Sequence, residues 1–197
     1  MPRVPRELVD GGCYHLIARG NNRQLVFTRP EAFQHFRDLL ATAKACYPSQ
    51  LYHYCLMGNH LHLLLRIGTA EHLPKFMQRL LQGYGRWYKT EHHSWGHVWQ
   101  GRYKSPRVAE ESYFLEAGRY IERNPLRAHL VTDLAAYPWS SYPHYAFSAV
   151  DPLVDEDPYY AQLGATSGQR QRAYQDFVRF DSPYAPVLDR ALLDTAF

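Results

Sequence analysis

The alternation of apolar and polar positions predicts a strand–helix–strand–strand–helix order for the first half of the chain. Apolar residues recur at helical spacing in two segments, residues 30–47 and 73–92. Short β-rich runs have the length and composition of strands. These runs are residues 13–19, 50–57 and 60–67. Gly58-Asn59, between the last two runs, is a two-residue loop typical of a β-hairpin.

The second half of the chain begins with another extended segment and a third helix. Residues 98–108 are predicted to be extended and residues 111–123 helical, with Asn124-Pro125 ending the helix. The proline-rich stretch after Ala135 is predicted to be loop, followed by a last helix at 168–180. The order β-α-β-β-α-β, then α, indicates an α+β fold of the ferredoxin-like, split-βαβ type with an antiparallel sheet.

Charge divides the chain into a basic body and an acidic end. Residues 1–130 hold 18 Lys and Arg against 10 Asp and Glu, a net charge of +8, whereas residues 131–197 hold 4 against 9, a net charge of −5. A basic body favours a polyanionic partner, although a mildly basic surface is the simpler interpretation. We predict one domain at 1–142 and an acidic C-terminal extension of unknown role at 143–197.

Composition excludes several classes of protein. A 46% apolar and 21% charged chain is typical of a soluble globular protein. The 16 Tyr and 11 His suit a surface that stacks on bases, but a core rich in tyrosine explains them equally. Three cysteines without a C-x-x-C pair indicate neither a disulfide framework nor a cysteine-rich zinc site. We expect a cytoplasmic protein without a membrane partner, because no leader or run of about 20 apolar residues is visible.

His60 and His62 are the first candidate for a chemical site. Side chains two apart on a strand point to the same face, so both rings can reach one ion while Leu61 and Leu63 face the other way. Neutral imidazole is a common ligand of divalent metals. The pair alone is weak evidence for a metal site, since structural histidines are common. We interpret His53, on the preceding strand, as structural.

The third helix supplies a candidate nucleophile. Tyr120 and Asn124 are four residues apart and therefore share one helical face. If this tyrosine helix covers the strand that carries the histidine pair, Asn124 can offer its amide oxygen as a third metal ligand. Tyr120 would then present its hydroxyl beside the metal. Spacing alone does not select one tyrosine among 16.

Basic and aromatic residues alternate where a nucleic acid would bind. Phosphates require Lys and Arg, and single-stranded bases require aromatic platforms. The segment at 99–104 interleaves basic and aromatic residues, and the loop at 19–23 adds two arginines with two asparagines between them. The side chains that we predict to contact DNA are Arg19, Asn21, Arg23, Arg102 and Lys104.

Four motifs, in this order along the chain, resemble those of one protein family. They are YHLIARGNNR (14–23), MGNHLHLLL (57–65), VWQGRYKS (98–105) and RYIERNPLRA (119–128). Together they resemble the REP-associated tyrosine transposases. These are a branch of the single-tyrosine transposases that carry a histidine–hydrophobe–histidine (HUH) motif. The resemblance covers roughly residues 10–142.

The resemblance implies an activity and a set of roles. It implies that Mg²⁺ or Mn²⁺ is held by His60, His62 and Asn124, and that Tyr120 is the nucleophile. The enzyme would cleave and rejoin single-stranded DNA at hairpin-forming palindromic repeats through a covalent 5′-phosphotyrosine intermediate. It would act as a monomer or as a homodimer that exchanges its tyrosine helices. Related insertion-sequence enzymes have Gln where this chain has Asn124, and Asn has the shorter reach.

Two other functions remain open at this stage. A host-retained protein could bind hairpin DNA without transposition, although the complete set of His60, His62 and Tyr120 argues against it. An unrelated metal hydrolase could use the histidine pair with water as the nucleophile, and it would not need Tyr120.

Overall fold

The structure, a computed structural model, describes residues 7–109, 111–181 and 185, with the backbone alone at 111–113. The strands in these residues are β1 (Cys13–Arg19), β2 (Ser49–Met57) and β3 (His60–Ile67). The helices are α1 (Pro30–Cys46), α2 (His72–His92), α3 (Glu111–Arg127), α4 (Tyr142–Phe147) and α5 (Ser167–Arg179). None of the described helices is long and apolar enough to cross a membrane.

The strands form an antiparallel sheet with the order β1-β3-β2, so β3 lies in the centre. The predicted extended segment at 98–108 runs along the free edge of β1, where Lys104 bridges Ile17 and Trp99 bridges Gly20. It makes isolated bridges rather than a continuous strand. Gly101 has a left-handed φ of 62°, and Pro106 has no N–H to donate.

The two faces of the sheet are covered by different helices. One face packs on α1 and α2, and it includes the buried side chains of Leu61 and Leu63. The opposite face packs on α3, which contributes Ile121 and Tyr120. The α+β, ferredoxin-like prediction is therefore confirmed, with the tyrosine helix over the face that carries the histidine pair.

The prediction that Asn124-Pro125 ends the third helix is wrong, because α3 continues to Arg127 with Pro125 inside it. A proline in a helix leaves the carbonyl four residues earlier without its N–H donor. Here the Asn124 side chain replaces that donor. Its Nδ2 donates to the carbonyl oxygens of Tyr120 at 2.9 Å and Ile121 at 3.2 Å. The side chain of Asn124 therefore compensates for the proline.

Residues predicted to be loop after Ala135 include a short helix, α4. Proline occupies one of its first positions, where the fixed φ suits a helix and the missing N–H costs nothing. Proline thus marks a helix start here rather than a loop.

The described part of the extension packs against the body of the protein. Tyr145 of α4 and Tyr174 of α5 are buried together, with ring centroids 5.1 Å apart. Arg123 of α3 donates from Nη1 to the carbonyl oxygen of Val178 at 2.7 Å. The helix predicted at 168–180 is confirmed as α5. The domain boundary between residues 142 and 143 stays a prediction.

Candidate active site

The register of β3 brings both motif histidines to the face beneath α3. His62 is paired with Ile17 on one side and Cys55 on the other, and both neighbours pack in the same cluster as α3. The rings of His60 and His62 are 5.0 Å apart, centroid to centroid. The predicted convergence of the two rings on one face is present.

Hydrogen bonds occupy the same nitrogen of both rings. Nδ1 of His60 lies 2.6 Å from Oδ1 of Asn59, and Nδ1 of His62 lies 2.9 Å from Nε2 of His15. Nε2 is therefore the nitrogen of each ring that a metal would take. Two imidazoles that present Nε2 from one face of a strand match the donor atoms that divalent metals take from histidine.

Burial keeps both rings neutral. Burial first, then the charge of Arg19, lowers the pKa of His60 to about 4, opposed by a hydrogen bond with Asn124. The pKa of His62 is lowered well below its usual value by burial, then by His60, His15 and Arg19. A neutral imidazole at physiological pH has a free lone pair, so no proton must leave before an ion binds.

Asn124 faces the histidine pair from α3. Its side chain is buried, and its amide nitrogen is fixed by the two backbone carbonyls described above. These two bonds set the orientation of the amide: Nδ2 faces the backbone of α3, and the oxygen is the atom available to the residues of the sheet. The hydrogen bond between Asn124 and His60 places the third predicted ligand beside the first.

Tyr120 lies between the histidine rings and the end of its own helix. Tyr120 is 6% exposed, and its ring meets His62 edge-on at 5.9 Å and His15 at 5.8 Å, centroid to centroid. The guanidinium carbon of Arg127 lies 4.8 Å from the centre of the Tyr120 ring. A single chain thus brings the tyrosine and the histidine pair together without a partner.

The predicted DNA-contacting residues form a polar rim beside this site, in which Lys104 is half-buried and the other four are exposed. Arg19 ends β1 opposite His60. The pKa of the Lys104 amine is lowered first by burial and then by the nearby charge of Arg19. Asn21 and Arg23 lie in the following turn, where the backbone of Asn21 donates to Val98 at 2.8 Å. Arg102 is also exposed, two residues before Lys104.

The opposite side of α3 is fixed by a buried network that we call the His53 cluster. Nδ1 of His53 lies 2.9 Å from Oε1 of Glu122, and its Nε2 lies 2.9 Å from Oδ2 of Asp157. Ser141 and Tyr174 each donate a hydroxyl to Glu122 at 2.6 Å. Burial lowers the pKa of His53, but the hydrogen bonds to the two carboxylates outweigh it and raise the value to about 9. His53 is structural, as interpreted from the sequence.

Two residues of the site escaped the sequence analysis. His15 lies two residues before Ile17 on β1, so it points to the same face as His62, but its contact depends on strand register. Arg127 is seven residues after Tyr120 and shares its helical face only because α3 continues past Pro125.

Comparison with known proteins assigns the family. The sequence model described as "Transposase IS200 like" matches residues 9–124, which include the histidine pair, Tyr120 and Asn124. The chain belongs to the IS200-like transposase family. The resemblance noted in the sequence is thereby confirmed, and the family supports a transposase role for this chain. No curated protein matches it by sequence.

The solved structures that match this transposase include the following two. One is a REP-associated tyrosine transposase bound to a REP hairpin, with 15% identity and a TM-score of 0.60 over 80% of this chain and 93% of that one. The other, a candidate transposase from Deinococcus radiodurans, is 22% identical, with a TM-score of 0.43 over 66% of this chain and 95% of that one. The first likeness shows that the two proteins share a fold.

Proposed function

We propose that this transposase cleaves and rejoins single-stranded DNA through a covalent bond between Tyr120 and a 5′-phosphate. The observation that carries the proposal is the 5.9 Å between the ring centroids of Tyr120 and His62, in one chain. A nucleophile on one element and a pair of metal-binding side chains on another are thus held together. This arrangement suits phosphoryl transfer without a second subunit.

A divalent metal, Mg²⁺ or Mn²⁺, fits the donors that surround Tyr120. His60 and His62, each through Nε2, and Asn124, through its amide oxygen, would hold the ion, since Nδ1 of each ring and Nδ2 of the amide have other partners. In the described ranges, no group of three His, Cys, Asp or Glu side chains could hold a metal, and the third donor here is an amide. The bound cation would neutralise phosphate charge and make the phosphorus more electrophilic.

The residues of the chain supply the rest of the proposed reaction. The hydroxyl oxygen of Tyr120 attacks phosphorus and gives its proton to solvent. The bond from phosphorus to the 3′ oxygen breaks, and that oxygen takes up a proton and leaves as a 3′-hydroxyl. The energy of the phosphodiester is kept in the phosphotyrosine, so a 3′-hydroxyl can reverse the step and rejoin a strand.

The polar rim supports binding of a DNA strand next to Tyr120. Arg19 and Lys104 concentrate positive charge beside His60, and the Arg23 turn extends it. We propose that these side chains, with Asn21 and Arg102, contact phosphates of the strand that is cut. Because the structurally similar REP-associated transposase was solved with a REP hairpin, we propose hairpin-forming repeats as the substrate.

A denaturing gel tests this function directly. Purified protein is mixed with 3′-labelled single-stranded hairpin oligonucleotides that carry the repeats flanking its gene, with Mn²⁺ or with EDTA. We expect a labelled protein band that survives denaturation and disappears in EDTA, in Tyr120→Phe and in His60→Ala. Tyr88→Phe, a tyrosine on α2, is the matched control and keeps the band.

The same gel separates the two alternative functions. Cleavage that persists in Tyr120→Phe without a protein band would indicate a hydrolase that uses water. Binding of the hairpin with neither cleavage nor a band would indicate a hairpin-binding protein that has no transposition activity.

A further inference from the structure

A third histidine lies directly behind the pair that we assign to the metal. In the β1–β3 register, Ile17 is opposite His62 and His15 is opposite Leu64, so His15 is the diagonal neighbour of His62 on the same face. Nε2 of His15 and Nδ1 of His62 are 2.9 Å apart, and both side chains are buried. This contact is a side-chain hydrogen bond inside the protein.

The hydrogen bond constrains which nitrogen of His62 carries a proton. A neutral imidazole has one N–H and one lone pair, and a bond between two imidazoles needs one of each. If His62 offers the lone pair of Nε2 to an ion, its proton must be on Nδ1. Nε2 of His15 then accepts the hydrogen bond from that N–H, so the proton of His15 itself must be on its own Nδ1.

The other nitrogen of His15 shows that packing alone does not explain this residue. Nδ1 of His15 is buried and has no hydrogen-bond partner among the residues that the structure describes. A buried polar atom without a partner costs stability, and an apolar ring of similar size would avoid that cost. The His15 ring also contacts the Tyr120 ring, with their centroids 5.8 Å apart, and a phenylalanine would pack equally well there.

We propose that His15 is a positioning residue that holds His62 with its proton on Nδ1 and Nε2 directed to the divalent metal. The proposal rests on the proposed metal site and extends it by one residue. Partners behind a metal-bound histidine typically change metal affinity by about 10- to 100-fold. His15 acts through His62 and needs no contact with DNA.

Metal affinity provides the first test. Isothermal titration calorimetry with MnCl₂ compares wild type with His15→Phe, which fills the space without an acceptor, and His15→Gln, which restores an acceptor oxygen. We expect a Kd about 10- to 100-fold weaker in His15→Phe and a partial recovery in His15→Gln. His35→Phe, at a half-buried histidine stacked on Trp87, is the matched control and keeps the wild-type Kd.

Each outcome separates this inference from the function on which it rests. Unchanged Mn²⁺ binding in His60→Ala would overturn the metal site itself. Weakened binding in His60→Ala with wild-type binding in His15→Phe would overturn the role of His15 alone. An equal loss in His15→Phe and His15→Gln would also overturn it. If His15→Phe does not fold, His15→Leu removes the same acceptor with a smaller side chain.

A second readout needs no metal. Nitrogen-15 NMR of the histidine rings distinguishes an Nδ1–H from an Nε2–H imidazole. In metal-free wild type, we expect His62 to carry its proton on Nδ1 and His15→Phe to shift it toward the Nε2–H form. If wild-type His62 carries its proton on Nε2 and accepts a hydrogen bond from His15, the proposal is contradicted even if Mn²⁺ binds.

Discussion

Replacement of His53 by leucine is expected to be the most damaging single change outside the proposed active site. His53 lies between the carboxylates of Glu122 and Asp157, both buried, with nitrogen–oxygen distances of 2.9 Å to each. Leucine fills similar space but removes the positive charge and both donors. Two buried carboxylates would remain without their shared partner, on the helix that carries Tyr120.

The burial of this ion pair sets the expected loss of stability. Removal of one partner from a buried ion pair typically costs about 3–5 kcal/mol, because a charge is left uncompensated. Domains of this size lose about 2–4 °C in Tm for each kcal/mol. We therefore expect Tm to fall by about 6–20 °C. Ser141 and Tyr174 still donate to Glu122, which places the expected loss below that of an isolated charge.

Thermal and urea unfolding, followed by circular dichroism at pH 7, measure this loss. His35→Leu removes a histidine of α1 whose ring stacks on Trp87 and contacts Tyr84, so it should cost about 1 kcal/mol or less. A combined variant, His53→Leu with Glu122→Gln and Asp157→Asn, removes the carboxylate charges and should regain part of the stability. If His53→Leu is as stable as His35→Leu, the cluster is not the ion pair that we describe.

Three further predictions concern pH, the proline in α3 and DNA binding. Burial lowers the pKa of His53, but its carboxylate partners outweigh burial and raise the pKa to about 9. The charged His53 therefore contributes about 3 kcal/mol to the free energy of unfolding, fully below pH 6.5, and this contribution is lost as pH rises through 9. Urea unfolding at pH 6 and 9.5 should show this decrease, which His53→Leu should lack. Asn124→Ala leaves the Ile121 carbonyl without a donor and should lower the free energy of unfolding by about 1–3 kcal/mol. Adding Pro125→Ala restores a backbone N–H and should recover much of this loss. No recovery would refute the idea that the Asn124 side chain compensates for the proline. Arg19→Gln should weaken binding of all single-stranded sequences and lower the slope of log K against log salt by about 0.7, whereas an unchanged slope would remove Arg19 from the phosphate contacts.

Local spacing was sufficient to predict the positions of the main candidate side chains. His60 and His62 share a face because strand side chains alternate, and Tyr120 and Asn124 share one because they are a helical turn apart. Both rules depend on residues within one element. The hairpin at Gly58-Asn59 followed for the same reason, since two turn residues join two strands.

Contacts between distant segments could not be predicted in this way. His15 meets His62 through a register that spacing along one strand does not fix, and Asp157 reaches His53 across 104 residues of sequence. The rule that proline ends a helix failed because the side chain of Asn124 replaces the missing donor. That error also hid Arg127, which reaches the Tyr120 ring only on a continuous helix.

The covalent bond to Tyr120 is the central claim, and peptide mass spectrometry tests it most directly. The protein is reacted with a single-stranded hairpin oligonucleotide and Mn²⁺, digested with nuclease and protease, and the peptides that contain tyrosine are sequenced. We predict one nucleotide phosphate on Tyr120, absent in EDTA and in His60→Ala. A nucleotide on a different tyrosine, or cleaved DNA with no modified tyrosine, would contradict the mechanism proposed for this transposase.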